Sequence, residues 1–433
     1  MAAPSLRYMG DTLASMVAGL GTSRDKMATV AYLPNVVDLT QCIAAYRTSA
    51  WARKAVDIPA EDATRAWRDW QAKAEQITAI EAEERRLELQ ASVKEALIKA
   101  RLMGRAAIYI GTKDPDPTNE LTPATLKGGG LVYLAVIEQS EIAPGPLVED
   151  RTSPRFGKPE TYTLSIGGLQ IVAHHTRLVN FIGQPLPSRI LSKGDDEGDS
   201  ILATVLEKVR QSDAVDANVA SLVFEAKVDV VRIPDMMESL AAPEYEHRLL
   251  RRFGLAATAK GINGTLILDK EEEYQSKSAS FAQLPELMGR FVQAVAGAAD
   301  IPVTRFLGQS ASGLNSTGDN DLRNYYDGVN AMQRLEIQPA MALLDEALIW
   351  SALGSRPPEV HYTWASLWQV SAKERAEIGK LIAETVEKLV DSGLFDRTAL
   401  ASAAANALVE AGVMPGLLDE VAEDDGQGDD AAI

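Results

Sequence analysis

The chain is short of several things that enzymes and membrane proteins rely on. It holds one cysteine in 433 residues, which excludes an internal disulfide and a cysteine-built metal site. That scarcity fits a reducing compartment. Cys42, set in Thr40-Gln41-Cys42-Ile43, reads as a small buried apolar residue rather than a nucleophile. No apolar run approaches the length of a membrane span. The start carries no cleavable leader pattern either, since Arg7 and Tyr8 interrupt its apolar residues. A soluble, intracellular chain without a membrane partner is the expectation. Positive charge is scarce too: 43 Lys and Arg against 61 Asp and Glu leave a net of −18. Gripping nucleic acid by its phosphates needs basic clusters, and none of size is present. Acidity aids solubility.

What is present supports a sizeable folded chain. The apolar share of 46% is ordinary for a globular protein, and the length suffices for two or three domains. The periodicities predict an α+β fold. Ile43, Tyr46, Trp51, Ala55 and Val56 mark a helix, and Pro59 starts or bends the segment after it. Residues 72–102 read as one long helix closing near Arg101 and Gly104. Short strands follow at residues 106–111, 131–137, 161–166 and 169–172, separated by loops rich in Pro and Gly. A long helix starts at Ile201, with its apolar stripe drifting around the axis. Strands at 229–233 and 265–268 flank a charged helix carrying Arg248, Arg251 and Arg252, which face either a partner, DNA or solvent. Asp195, Asp196, Glu197 and Asp199 form an acidic turn without the ligand order of a calcium loop. Trp364 and Trp368 sit on a last short strand, and two helices run to Gly393 and to about Gly412. The end, from residue 420, is acidic and expected to be disordered.

The organising stretch is residues 301–322, a polar loop punctuated by glycine between two helical patterns. Leu284, Leu287, Met288, Phe291, Val295 and Ala298 recur at helical spacing before it. Leu322, Tyr325, Tyr326, Val329 and Met332 do so after it, up to Pro339, where a kink is expected. Gly308 and Gly313 have the spacing of a phosphate cradle, but Leu314 stands where a lysine would reach the phosphates. Nucleotide hydrolysis is not expected in this loop.

Three stretches together resemble the portal proteins of tailed bacteriophages. They are Ile301-Pro302-Val303-Thr304-Arg305-Phe306-Leu307-Gly308, then Gly313-Leu314-Asn315, then Asp321-Leu322-Arg323-Asn324-Tyr325-Tyr326. Ala52-Arg53-Lys54-Ala55-Val56-Asp57 with Asp62 and Arg65, and His175-Thr176-Arg177 before Gly183-Gln184-Pro185-Leu186-Pro187, add weaker matches in the same order.

The resemblance implies a ring, usually of twelve subunits, at one capsid vertex of the virion, through which double-stranded DNA is packaged and ejected. It implies an N-terminal arm (1–35), a wing (36–197), two stem helices (198–227 and 281–302) and a clip (228–280). A tunnel loop (303–319), a long kinked wing helix (320–356), a crown (357–419) and the acidic tail complete it. In that layout Gly308, Gln309, Ser310, Ser312, Asn315 and Ser316 face DNA in the tunnel. Arg248, Arg251 and Arg252 belong to the clip, which docks the large terminase subunit and later the head–tail adaptor. Capsid and scaffolding proteins are further partners. No cofactor, metal or catalytic residue is expected.

One competing pattern runs through the chain. His174-His175-Thr176 and His361-Tyr362-Thr363 are two H-x-T tripeptides, and paired H-x-T motifs resemble the two-histidine phosphoesterases, in which one imidazole is general base and the other general acid. Some phages turn such enzymes on cyclic oligonucleotide signals. The wide separation of the two motifs argues against that reading and for strand-end histidines.

Overall fold

The computed structural model describes residues 38–186, 198–224, 227–232, 247, 251, 273–278, 281–308, 317–368, 372–393, 397–410 and 413. The expected arm, the strand at 265–268 and the acidic tail lie outside them, as does most of the helix around Arg248. In chain order the described elements begin with α1 (Leu39–Thr48), α2 (Ala50–Arg65), β1 (Arg68–Gln71), α3 (Ala74–Arg86) and α4 (Leu89–Met103). Strands β2 (Arg105–Thr112), β3 (Leu131–Glu138), β4 (Ile142–Pro144), β5 (Thr161–Ile166), β6 (Leu169–His174) and β7 (Leu178–Ile182) follow, then the short β8 (Gln184–Pro185) and β9 (Gly198–Asp199). Next come α5 (Leu202–Phe224), β10 (Lys227–Arg232), β11 (Glu273–Ser278), α6 (Leu284–Ala298) and α7 (Val303–Leu307). The last part holds α8 (Thr317–Met332), α9 (Gln338–Leu353), β12 (His361–Trp364), α10 (Ala372–Ser392) and α11 (Arg397–Glu410). The α+β expectation holds.

The chain forms two compact units: Met1–Ala60 with Ala91–Thr122 and Leu131–Gly308, and Glu61–Gln90 with Pro123–Gly130 and Gln309–Ile433. In the first, β2 lies between β3 and β7 in one antiparallel sheet, and β5 lies between β4 and β6 in another. The run from Arg105 to Gly111 is buried throughout, as its near-continuous small and apolar sequence predicts. Tyr109, Ile137, Tyr162, Leu164 and Leu178 share a core contributed by both sheets. α5 packs on α6, with Leu202, Val205 and Val209 buried on one and Val292, Val295 and Ala296 on the other. The ribbon β10–β11, with Val230 opposite Gln275, lies between those helices in the sequence.

In the second unit the small sheet of β1 and β12 sets Trp70 opposite Tyr362 and Arg68 opposite Trp364. Met341, Leu344, Ala347 and Leu348 of α9 are completely buried. α10 pairs with α11 in a helical hairpin that ends its first helix near Gly393, as expected from sequence.

The structure corrects several expectations. The stretch at 72–102 is two helices, because Glu88 takes φ +50 and breaks the turn so that Leu87 and Leu89 both reach the interior. Pro59 does not start a segment; it lies inside α2. A proline there removes the N–H that the Ala55 carbonyl would accept from. Arg101 fills the gap, donating to the carbonyls of Ala55 and Val56 at 2.9 and 3.0 Å. Just before Pro339 the helix carries a π turn over Gln333–Ile337, in which each carbonyl reaches the N–H five residues on. Strands β1 and β11 went unforeseen: Arg68-Asp69-Trp70-Gln71 and Glu273-Tyr274-Gln275-Ser276 lack alternating apolar residues and are strands because a partner is there to pair with. Asp199 of the acidic turn is likewise in β9.

Candidate functional site

The loop singled out by the sequence is held firmly on its upstream side. α6 stops where Asp300 adopts φ +57, and the Ile301 N–H reaches back to the Ala296 carbonyl at 3.0 Å. Pro302, with its fixed φ, opens α7. That single turn ends on Gly308 at φ +68, where the N–H donates to the Thr304 carbonyl; glycine is the residue that takes this cap without strain. Phe306 is fully buried and stacks on Trp51 with ring centres 5.7 Å apart. Lys54 Nζ donates to the Phe306 carbonyl at 2.7 Å and lies 5.5 and 5.8 Å from the centres of the Trp51 and Phe306 rings. The end of a helical turn is where a cation is favoured, and aromatic faces add to that attraction.

Of the predicted tunnel residues, Gly308 is described and exposed. Gln309, Ser310, Ser312, Asn315 and Ser316 lie outside the described residues. The described flanks, α7 and the start of α8, are helical. Within the second unit, α8 is tied down by Tyr325 Oη donating to Asp62 Oδ2 at 3.1 Å and by Arg65 lying over the Tyr326 ring at 4.9 Å. Gln333, in the π turn, donates to the Ala63 carbonyl at 2.7 Å. Of the clip arginines, Arg251 is exposed, and Arg248 and Arg252 lie outside the described residues.

The histidines are occupied locally. His174 ends β6, its Nδ1 2.8 Å from Thr176 Oγ1, and His175 Nδ1 is 3.2 Å from the Glu160 carbonyl. Burial lowers both pKa values, with Arg155 pressing in the same direction. His361 belongs to the other unit; it is exposed, with Nδ1 2.8 Å from the Glu359 carbonyl. His174 thus closes one strand and His361 opens another. Among the described residues no group of three or more His, Cys, Asp or Glu could hold a metal, and no helix is long and apolar enough to cross a membrane.

Sequence reasoning missed a buried electrostatic centre in the second unit. The buried Arg68 guanidinium contacts both Glu84 and Asp345 and sits 4.5 to 5.1 Å from the ring centres of Trp67, Trp70 and Tyr362. Tyr362 Oη donates to Asp345 Oδ2 at 3.0 Å. One guanidinium faces two carboxylates, so the charge is not balanced. Burial pushes the Asp345 carboxyl above its usual range, with Arg68 only partly opposing it. Burial also pulls on Arg68, but Asp345 and Glu84 outweigh it and hold its pKa above normal. The flanking tryptophans of Trp67-Arg68-Asp69-Trp70 were the only available signal.

Two packed helices separated in sequence by a β-ribbon, small antiparallel sheets, and a glycine-capped turn leading into a long π-interrupted helix define a class: the α+β portal fold. Residues 40–388 match a family model described as phage portal protein. The chain belongs to the phage portal protein family, and with it to the subunits that build the portal ring at the capsid vertex. It is 39% identical over 423 residues to an "Anti-CBASS protein Acb1" of Caulobacter sp. (strain RHG1), covering 94% of this chain and 68% of that one. A protein of the same description from Sphingomonas paeninsulae is 38% identical, at 96% and 68% coverage. An uncharacterized protein of Haemophilus influenzae (strain ATCC 51907 / DSM 11121 / KW20 / Rd) is 30% identical, with 90% of this chain and 89% of that one covered. Among solved structures, a chain from the neck of an empty GTA particle computed with C6 symmetry matches at TM-score 0.51 and 16% identity, over 90% of this chain and 98% of its own. One from the neck of a native GTA particle computed with C12 symmetry matches at 0.50 and 16%, over 93% and 99%. These two share the fold.

Proposed function

We propose that twelve copies of this chain surround a channel that conducts double-stranded DNA into the capsid during packaging and out of it during ejection, without catalysis by the chain itself. The carrying observation is the shoulder at α7: a buried aromatic contact and a lysine hold the chain up to Gly308, where a run of small uncharged polar residues begins. Such residues touch a phosphate backbone without the counterion release that makes basic side chains bind it. Gly308, Gln309, Ser310, Ser312, Asn315 and Ser316 then line the narrowest segment, with 303–319 as the tunnel loop. Residues 198–227 and 281–302 are the stem, and 36–197 with 320–356 the wing. Residues 357–419 form the crown, and 228–280 the clip, where Arg248, Arg251 and Arg252 face the large terminase subunit and then the head–tail adaptor. Capsid and scaffolding proteins complete the partners at the portal vertex of the virion.

Inserting two lysines between Ser310 and Asn315 tests the loop. Slower DNA filling of heads, with rings assembling as usual, is expected; unchanged filling would refute the tunnel assignment.

A second reading comes from the relatives' name. Those two proteins are described as anti-CBASS proteins, so a cyclic-oligonucleotide phosphodiesterase is the enzyme alternative, with His174 or His175 and His361 as its groups. We place that activity in the part of the relatives that the 68% coverage leaves without counterpart here. Incubating this chain with cyclic di- and trinucleotides should leave them intact. Cleavage abolished by His361→Ala would reverse the assignment.

A further inference from the structure

We propose that Lys54 is a positioning residue for DNA conduction: it clamps the end of α7 and so fixes the point from which the chain departs at Gly308. The inference rests on the tunnel reading above and concerns only the described shoulder. Three contacts converge there. The Lys54 Nζ donates to the Phe306 carbonyl at 2.7 Å, one of the last carbonyls of a helical turn, which no following turn of the same helix satisfies. The ammonium lies 5.5 Å from the centre of the Trp51 ring and 5.8 Å from that of Phe306, and those rings stack on each other with an interplanar angle of 22°. Trp51 and Lys54 are three apart on α2, hence neighbours on one helix face.

The local sequence gives α7 little strength of its own. A turn spanning Val303–Leu307 is far below the length at which a helix holds itself together. Its end is set by what grips it, and Gly308, at φ +68, has no side chain with which to anchor it. Fixing the carbonyl at Phe306 therefore fixes the end of the turn at Gly308. A lysine suits the task because its flexible stem lies along apolar surface while its head reaches a polar group.

The test uses the full chain assembled into rings, in three forms: wild type, Lys54→Met and Lys54→Arg. Methionine keeps the apolar stem and removes the donor; arginine keeps the charge and donors. Three quantities are read: ring yield, amide hydrogen exchange at Phe306 and Gly308, whose N–H groups donate to the carbonyls of Pro302 and Thr304, and the fraction of DNA-filled heads. For Lys54→Met we expect wild-type ring yield, exchange faster by about tenfold, as loss of one charged hydrogen bond implies, and a several-fold fall in filled heads. Lys54→Arg should restore both. Unchanged exchange overturns the clamp. Failure of Lys54→Met to form rings overturns it as well, by making Lys54 an assembly residue. Faster exchange with unchanged filling leaves the clamp real but overturns its role in conduction. If the lysine insertion described above also leaves filling unchanged, the fault lies with the tunnel reading; if the insertion slows filling, it lies with Lys54.

Discussion

Replacing Arg68 by methionine should destabilise the second unit by about 4 kcal/mol, the range expected when one partner of a buried ion pair is removed. The side chain is fully buried and faces Glu84 and Asp345, themselves nearly buried, so its loss leaves two carboxylates without a counter-charge. The loss of stacking on Trp67, Trp70 and Tyr362 adds about 1 kcal/mol. Protonation limits the damage. Burial already raises the Asp345 pKa and Arg68 opposes that rise, so removing Arg68 lifts it further. A carboxyl whose folded pKa exceeds its unfolded value favours folding at low pH, and that contribution is lost as pH rises through the folded pKa. The variant should accordingly lose less stability at pH 5 than at pH 7. Urea unfolding followed by tryptophan fluorescence reads the transition, since Trp67, Trp70 and Trp364 surround the centre. Replacing Arg68, Glu84 and Asp345 together by Met, Leu and Leu should recover most of the loss, because an apolar core of similar volume leaves no charge stranded. A loss below about 1 kcal/mol, typical of an exposed pair, or a larger loss at pH 5, would refute the reasoning.

Arg101→Met should cost about 2 kcal/mol, since it strips the donors from the Ala55 and Val56 carbonyls beside Pro59; thermal melting reads it, and Arg101→Lys should recover only part. Arg177→Met should loosen the segment from Thr112 to Asn119, because buried Arg177 contacts Thr112 Oγ1, Asp114 Oδ2 and the Asn119 carbonyl at 2.8, 2.6 and 2.9 Å; faster proteolytic cutting there, with the α8–α9 region unaffected, is the readout. Acidification below pH 6.5 should destabilise the first unit. Burial lowers the pKa of His174 and His175 below that unfolded value, so the unfolded chain binds protons first and stability falls with pH. Replacing both by glutamine should flatten the pH profile of its melting between pH 7 and 5.

Much of the helical layout was legible because a 3.6-residue apolar repeat needs only local sequence to be recognised. α5, α6, α8 and α10 announce themselves that way. So does β2, whose small and apolar residues run unbroken from Ala106 to Ile110. Strands β1 and β11 were not legible, because a polar strand is made by its partner and the partner lies far off in sequence. The break at Glu88 was hidden for a related reason: the residues on both sides are good helix formers, and only burial of Leu87 and Leu89 favours the left-handed turn between them.

The site divides along the same line. From sequence alone came the absence of a phosphate-reaching lysine after Gly313, the small polar character of the loop after Gly308, the scarcity of basic charge and the family resemblance. Each depends on which residues are present and in what order. Tertiary structure alone decided that Lys54 grips Phe306, a residue far along the chain, that Arg101 repairs the helix at Pro59, and that Arg68 joins Glu84 and Asp345 in one buried centre. A lone arginine or lysine in a sequence reads as a solvated charge. Whether it becomes a clamp depends on which distant carbonyls and carboxylates folding brings within 3 Å of it, and no local pattern encodes that.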